Sequence, residues 1–114
     1  MPSDDLELMQ GTLDVLVLRA LSWKPMHGYA IVRFIRQASH ESLRVQDGAL
    51  YTSLHRLEAR RFLDSEWGIS DRGKRAKFYS ITTAGRSTLR SEAATWERYV
   101  AAVRGVMQAK PEAV

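Results

Sequence analysis

Apolar side chains at Leu89, Ala93, Trp96, Val100, Val103 and Met107 recur at spacings of 4, 3, 4, 3 and 4 near the end of a chain of only 114 residues. This heptad stripe predicts one long helix over 83–108, capped by Thr82 or Thr83, with 109–114 as a frayed tail that includes Pro111. A lone helix of that length projecting from a small domain would leave its apolar seam in water. The same helix of a second copy covers it most simply, so the six seam residues are the expected homodimer interface.

Upstream, Leu6, Met9, Leu13, Leu16, Val17, Ala20 and Leu21 follow a helical period that ends near Ser22, ahead of Pro25, with Ser3 or Thr12 as the cap. A second helix is predicted from Gly28 to about Ser39, with Tyr29, Ile31, Val32, Ile35 and Ala38 on or beside one face. Leu50, Leu54 and Leu57 define a third, opened by Asp47 as N-cap, whose other face of Ala49, Thr52, Ser53, Arg56 and Arg60 projects away from the leucines. The period then changes to that of two short strands, 62–67 and 77–81, joined by a long polar loop over 68–76. The expected fold is mainly α with a small β-hairpin: a winged helix-turn-helix over 1–82 followed by a long C-terminal dimerisation helix.

Composition narrows the function. With 45% hydrophobic and 26% charged residues the chain is ordinary globular material for one core. Its lack of cysteine excludes disulfides, thiolate catalysis and Cys-based metal sites. The longest aliphatic run, 15–18, stops at Arg19, so neither a membrane span nor a secretory signal is expected and the protein is expected in the cytoplasm. His27, His40 and His55 lack the i, i+4 spacing of a helical metal site, and the carboxylates are scattered, so no metal, cofactor or enzymatic activity is expected. The frame Gly68-x-x-x-x-Gly73-Lys74 imitates a phosphate-binding loop, but Arg75 stands where Ser or Thr would hold magnesium and the segment joins strand to strand.

Three helices and a hairpin have a direct use: the third helix fits the major groove of double-stranded DNA while a basic loop lies on the phosphate backbone. Small Gly48 and Ala49 let the helix N-terminus approach a phosphate, and Thr52, Ser53 and Arg56 are placed to meet bases or phosphates. Arg72, Lys74, Arg75 and Lys77 fall within six residues with no acid among them. The competing reading is a winged-helix protein-interaction module whose basic loop is merely solvated.

Gly11-Thr12-Leu13, Met26-His27-Gly28-Tyr29-Ala30-Ile31, Gly48-Ala49-Leu50-Tyr51 with Leu54, Arg56-Leu57-Glu58, Ser65-Glu66-Trp67, and Phe78-Tyr79-Ser80-Ile81-Thr82 with Gly85 and Leu89 form an ordered series. That series resembles the PadR family of bacterial transcriptional regulators. The resemblance implies a repressor that dimerises through its C-terminal helix and acts on two promoter half-sites. It puts Tyr51 at the DNA-facing start of the recognition helix, its hydroxyl donating to a phosphate; at about 100° from Leu50, Tyr51 also reads as a core residue. Arg56 and Glu58 also read as structural partners of neighbouring elements. Family members commonly carry glycine where Arg61 stands, a left-handed position at which arginine costs roughly 1 kcal/mol. Some short members stack flat aromatic molecules on a seam tryptophan between subunits, which for Trp96 implies a small aromatic effector; interface packing is the plainer role.

Overall fold

The structure, a computed structural model, describes residues 11–113; the expected cap Ser3 and the periodic Leu6 and Met9 lie outside them. In chain order the elements are α1 (Thr12–Leu21), β1 (Met26–His27), α2 (Gly28–Ala38), α3 (Asp47–Ala59), β2 (Leu63–Ile69), β3 (Arg75–Ile81), α4 (Thr83–Gln108) and a 3-10 helix (Pro111–Ala113). The 3-10 helix occupies the stretch expected to fray.

The helix starts differ in detail from expectation. Thr12 is the first residue of α1 and does not cap it; Gly11 precedes it in a left-handed conformation, with no side-chain cap. Asp47 is likewise the first residue of α3, after Gln46, and contributes its charge to the positive helix end instead of a capping hydrogen bond. His27 caps α2, its Nδ1 accepting the Ala30 N–H at 3.2 Å. Thr82 caps α4, its hydroxyl oxygen accepting the Gly85 N–H at 3.0 Å.

The three strands are antiparallel in the order β1-β3-β2, with Met26 opposite Tyr79 and Leu63 opposite Ile81. Two-residue β1 is too short to leave a periodic signal in the sequence. The hairpin strands run further than predicted, because Gly68 pairs with Ala76 and Ile69 with Arg75. The polar loop is therefore a tight turn: the Ser70 N–H donates to the Lys74 carbonyl at 2.7 Å, and Gly73 takes φ 75.

Val17, Leu18 and Leu21 of α1, Ile31 and Ile35 of α2, the Leu50–Leu54–Leu57 stripe of α3, and Leu63 and Tyr79 of the sheet form one buried core. Each such aliphatic side chain contributes about 1.5–3 kcal/mol on removal from water. Leu89 also belongs to this core, so the first seam position of α4 is covered within its own domain. Tyr29, expected on the apolar side of α2, is 60% exposed.

A polar clamp ties α3 to α1. Ser53 is fully buried and donates to Asp14 Oδ1 at 2.6 Å, while Arg56 donates through Nε to Oδ2 at 2.9 Å and through Nη2 to Oδ1 at 2.5 Å. Partial burial pushes the Asp14 carboxyl up, but hydrogen bonds from Arg56 and Ser53 and the charges of Arg56 and Arg60 outweigh it, and the pKa lies below its ordinary value. A carboxylate depressed on folding stabilises fully above its unfolded pKa and loses that contribution as pH falls through the folded value. Asp14→Ala leaves the Ser53 hydroxyl buried without its partner and should cost about 1–3 kcal/mol at pH 7. The difference between wild type and variant, followed by denaturant titration, should shrink below pH 4.

At the C-terminus of α3 the Arg61 N–H donates to the Glu58 carbonyl and the Phe62 N–H to that of Leu57, both at 2.9 Å, with Arg61 at φ 63. This is the paired hydrogen-bond pattern of a left-handed helix stop. Arginine has therefore been fitted into the conformation glycine favours. Arg61→Gly should raise stability by about 0.5–1 kcal/mol in thermal unfolding, relief of strain exceeding the extra unfolded-state entropy.

Candidate nucleic-acid interface

With its leucines facing the core, α3 turns Gly48, Ala49, Tyr51 and Thr52 to solvent. Nothing in the protein approaches within 4 Å of where a Gly48 side chain would stand, so the start of this helix is open. Thr52 donates its hydroxyl to the Gly48 carbonyl at 2.9 Å, which fixes its rotamer and leaves its oxygen to accept. Tyr51 is half exposed, and its phenol lies over Gly28, where an added Cβ would be 3.4 Å from the hydroxyl. It is therefore a surface residue that joins the starts of α3 and α2.

Of the residues expected on this outward face, Ser53 turns inward and Arg56 stays exposed but is engaged by Asp14. Ser53 is buried, and Arg56 is held by Asp14, so both serve the α1–α3 clamp. Both are engaged by a residue 39 and 42 positions away in sequence, which helical spacing cannot reveal.

The four clustered cations also separate. Lys77 lies on β3 with Nζ 3.8 Å from Glu58 Oε1, and Glu58 accepts from the Ser65 hydroxyl at 2.5 Å. Arg75, also on β3, stacks its guanidinium 4.5 Å from the centroid of exposed Trp67. Lys74 and Arg72 lie in the exposed turn, and Arg72 reaches back to within 5.9 Å of the Tyr29 ring. Arg33 approaches the same ring at 5.5 Å from within α2. Tyr29 and Arg33 were not singled out by the sequence as site residues; their i, i+4 spacing was a usable signal, masked by assigning Tyr29 to the apolar side.

A second exposed surface runs along α4. Beyond Leu89 and half-buried Ala93, Trp96 is 39% exposed and stacks on Tyr99 at 6.1 Å between centroids, and Val103, Val106 and Met107 are exposed. Val100 is half-buried. Tyr99 and Val106 widen the stripe beyond the predicted seam. No helix among the described residues is long and apolar enough to cross a membrane.

A winged helix-turn-helix body with an open third helix, a cationic hairpin turn and a long trailing helix is the architecture of a small DNA-binding transcriptional regulator. Residues 17–91 match the Transcriptional regulator PadR-like family, and the chain belongs to that family. It is 30% identical over 99 residues to Transcriptional regulator Rv3488 of Mycobacterium tuberculosis, a match covering 87% of this chain and 89% of that protein. It is 32% identical over 91 residues to an uncharacterized protein X of Lysinibacillus sphaericus, covering 79% and 83%. The crystal structure of a PadR family transcriptional regulator from Eggerthella lenta is similar with a TM-score of 0.74 at 31% identity, covering 89% of this chain and 86% of that one.

Proposed function

We propose that the protein is a homodimeric repressor that binds a pseudo-palindromic DNA operator and is released by a small aromatic effector. One observation carries the DNA reading: Tyr51 of α3 lies on the start of α2, Tyr29 follows there, and Arg72 of the hairpin turn reaches Tyr29. Recognition helix, second helix and wing thus share a continuous surface. Gly48, Ala49 and Thr52 enter the major groove, the Tyr51 hydroxyl donates to a phosphate at its edge, and Arg72, Lys74 and Arg75 follow the backbone.

The stripe of α4 supports the dimer. Trp96, Tyr99, Val103, Val106 and Met107 are exposed in the single chain, and pairing with a second α4 removes them from water. Two-fold pairing sets two copies of α3 in successive major grooves, roughly 34 Å apart. The stacked Trp96 and Tyr99 rings offer a flat aromatic effector two π-faces at that interface, with small Ala93 leaving room beside them. Release follows if the effector prefers a dimer shape whose reading heads no longer match the grooves.

Operator affinity should fall with salt at a log–log slope of about −0.9 per neutralised phosphate, and Lys74→Ala should reduce the magnitude of that slope by about 1. A slope near zero in the wild type would instead favour a protein-interaction module. Sedimentation at micromolar concentration should give a dimer, and Val103→Glu should shift it toward monomer by placing charge in the apolar seam. A Val103→Glu chain that remains fully dimeric would remove α4 from the interface.

A further inference from the structure

We propose that Tyr29 organises Arg33 and Arg72 into a clamp for a DNA phosphodiester at the junction of α2 and the hairpin turn. The inference rests on the DNA-binding reading above and adds to it a residue pair and the device that holds it.

Arg33 and Arg72 come from different elements, yet both guanidinium groups stand over one ring, at 5.5 and 5.9 Å from its centroid. Neither has a carboxylate partner among the described residues. The ring is itself braced: Tyr29 stacks on His27 at 6.4 Å and 22°, and His27 meets Phe78 of β3 edge-on at 5.3 Å. His27 is fixed in turn by accepting the Ala30 N–H. This chain of contacts runs from the sheet to the exposed phenol.

Two like charges held to one ring repel each other, whichever faces they occupy. The ring faces offset part of that repulsion through the quadrupole and reduce the freedom of two long side chains. Guanidinium groups held by a ring keep their N–H edges available, and those edges fit phosphate oxygens in pairs. An anion bridging the two charges relieves the remaining repulsion. On the surface that also carries Tyr51 and the open start of α3, the phosphodiester beside the occupied groove is that anion.

Tyr29 acts through the arginines and is a positioning residue, so its test needs a readout that a general loss of structure would not mimic. The probe is a fluorescein-labelled 30-base-pair duplex of random sequence, titrated by anisotropy between about 50 and 200 mM salt, a range in which phosphate contacts dominate non-specific binding. Arg33→Ala should reduce the magnitude of the salt slope by about 1 and weaken binding about eightfold near 0.1 M salt. Tyr29→Phe keeps the π-face and should match wild type, whereas Tyr29→Leu should lower both slope and affinity with an unchanged melting transition. Wild-type behaviour of Tyr29→Leu or of Arg33→Ala, alongside a reduced slope in Lys74→Ala, would overturn the clamp while leaving the DNA reading intact. Equal losses in Tyr29→Phe and Tyr29→Leu would also overturn it, since a cation–π role is retained by phenylalanine. A wild-type chain that ignores duplex DNA at the lowest salt would overturn both.

Discussion

The corner at which α3, β2 and α4 meet governs the geometry of the rest. Thr82 donates its hydroxyl to the Arg61 carbonyl at 2.8 Å and its N–H to the Phe62 carbonyl at 3.0 Å, while its hydroxyl oxygen caps α4. One turn into α4, a side chain at Gly85 would collide with the Phe62 carbonyl oxygen and with Ile81. The first turn of α4 is thus pressed against the turn that ends α3. The long helix leaves the body in a direction set by this backbone contact and by its packing on α1 and β3. Left-handed Arg61 sits at this corner, where its carbonyl accepts the Thr82 hydroxyl.

What was legible in the sequence is what depends on local periodicity. The Leu50–Leu54–Leu57 stripe, the two period-two segments and the extent of α4 each leave a repeat in the chain; the stripe and α4 form where expected, and the two strands form but run further toward their turn than expected. Ser53 shows where such reasoning stops. Helical angle assigns it to a polar face, but Asp14 supplies a partner in the interior, so burial becomes favourable through a contact that only the fold creates. Leu89 shows the converse: it fits the heptad, and the start of α4 lies against α1, so the core of its own domain also takes it. Two-residue β1 and the reach of Arg72 to Tyr29 likewise arise from tertiary placement, with no local pattern to announce them.

Charge proximity in sequence proved a poor guide to charge proximity in space. Arg72, Lys74, Arg75 and Lys77 read as one patch, yet Lys77 is drawn to Glu58, Arg75 to Trp67 and Arg72 to Tyr29. Arg75 and Lys77, two apart on β3, leave the same face of the ribbon, yet one meets Trp67 and the other Glu58, so closeness in sequence does not fix which group each cation meets. The field around the turn still favours approach of a polyanion, because a net charge of +4 is shared by a small body.

Under the proposed dimer, symmetry links the two exposed surfaces. An isologous two-fold contact along α4 places equivalent residues of the two chains about one axis, so each reading head presents the same face to DNA in opposite senses. A helix of 26 residues, roughly 39 Å long, acts as a lever about that axis. Because α4 packs on α1 and β3 of its own body, a change in the crossing of two such helices would carry each reading head with it. Under the proposed function, an aromatic molecule at Trp96 would sit partway along this lever, since Trp96 falls near the middle of α4. Its influence on operator affinity is then limited to its differential affinity for two crossings of the same pair of helices.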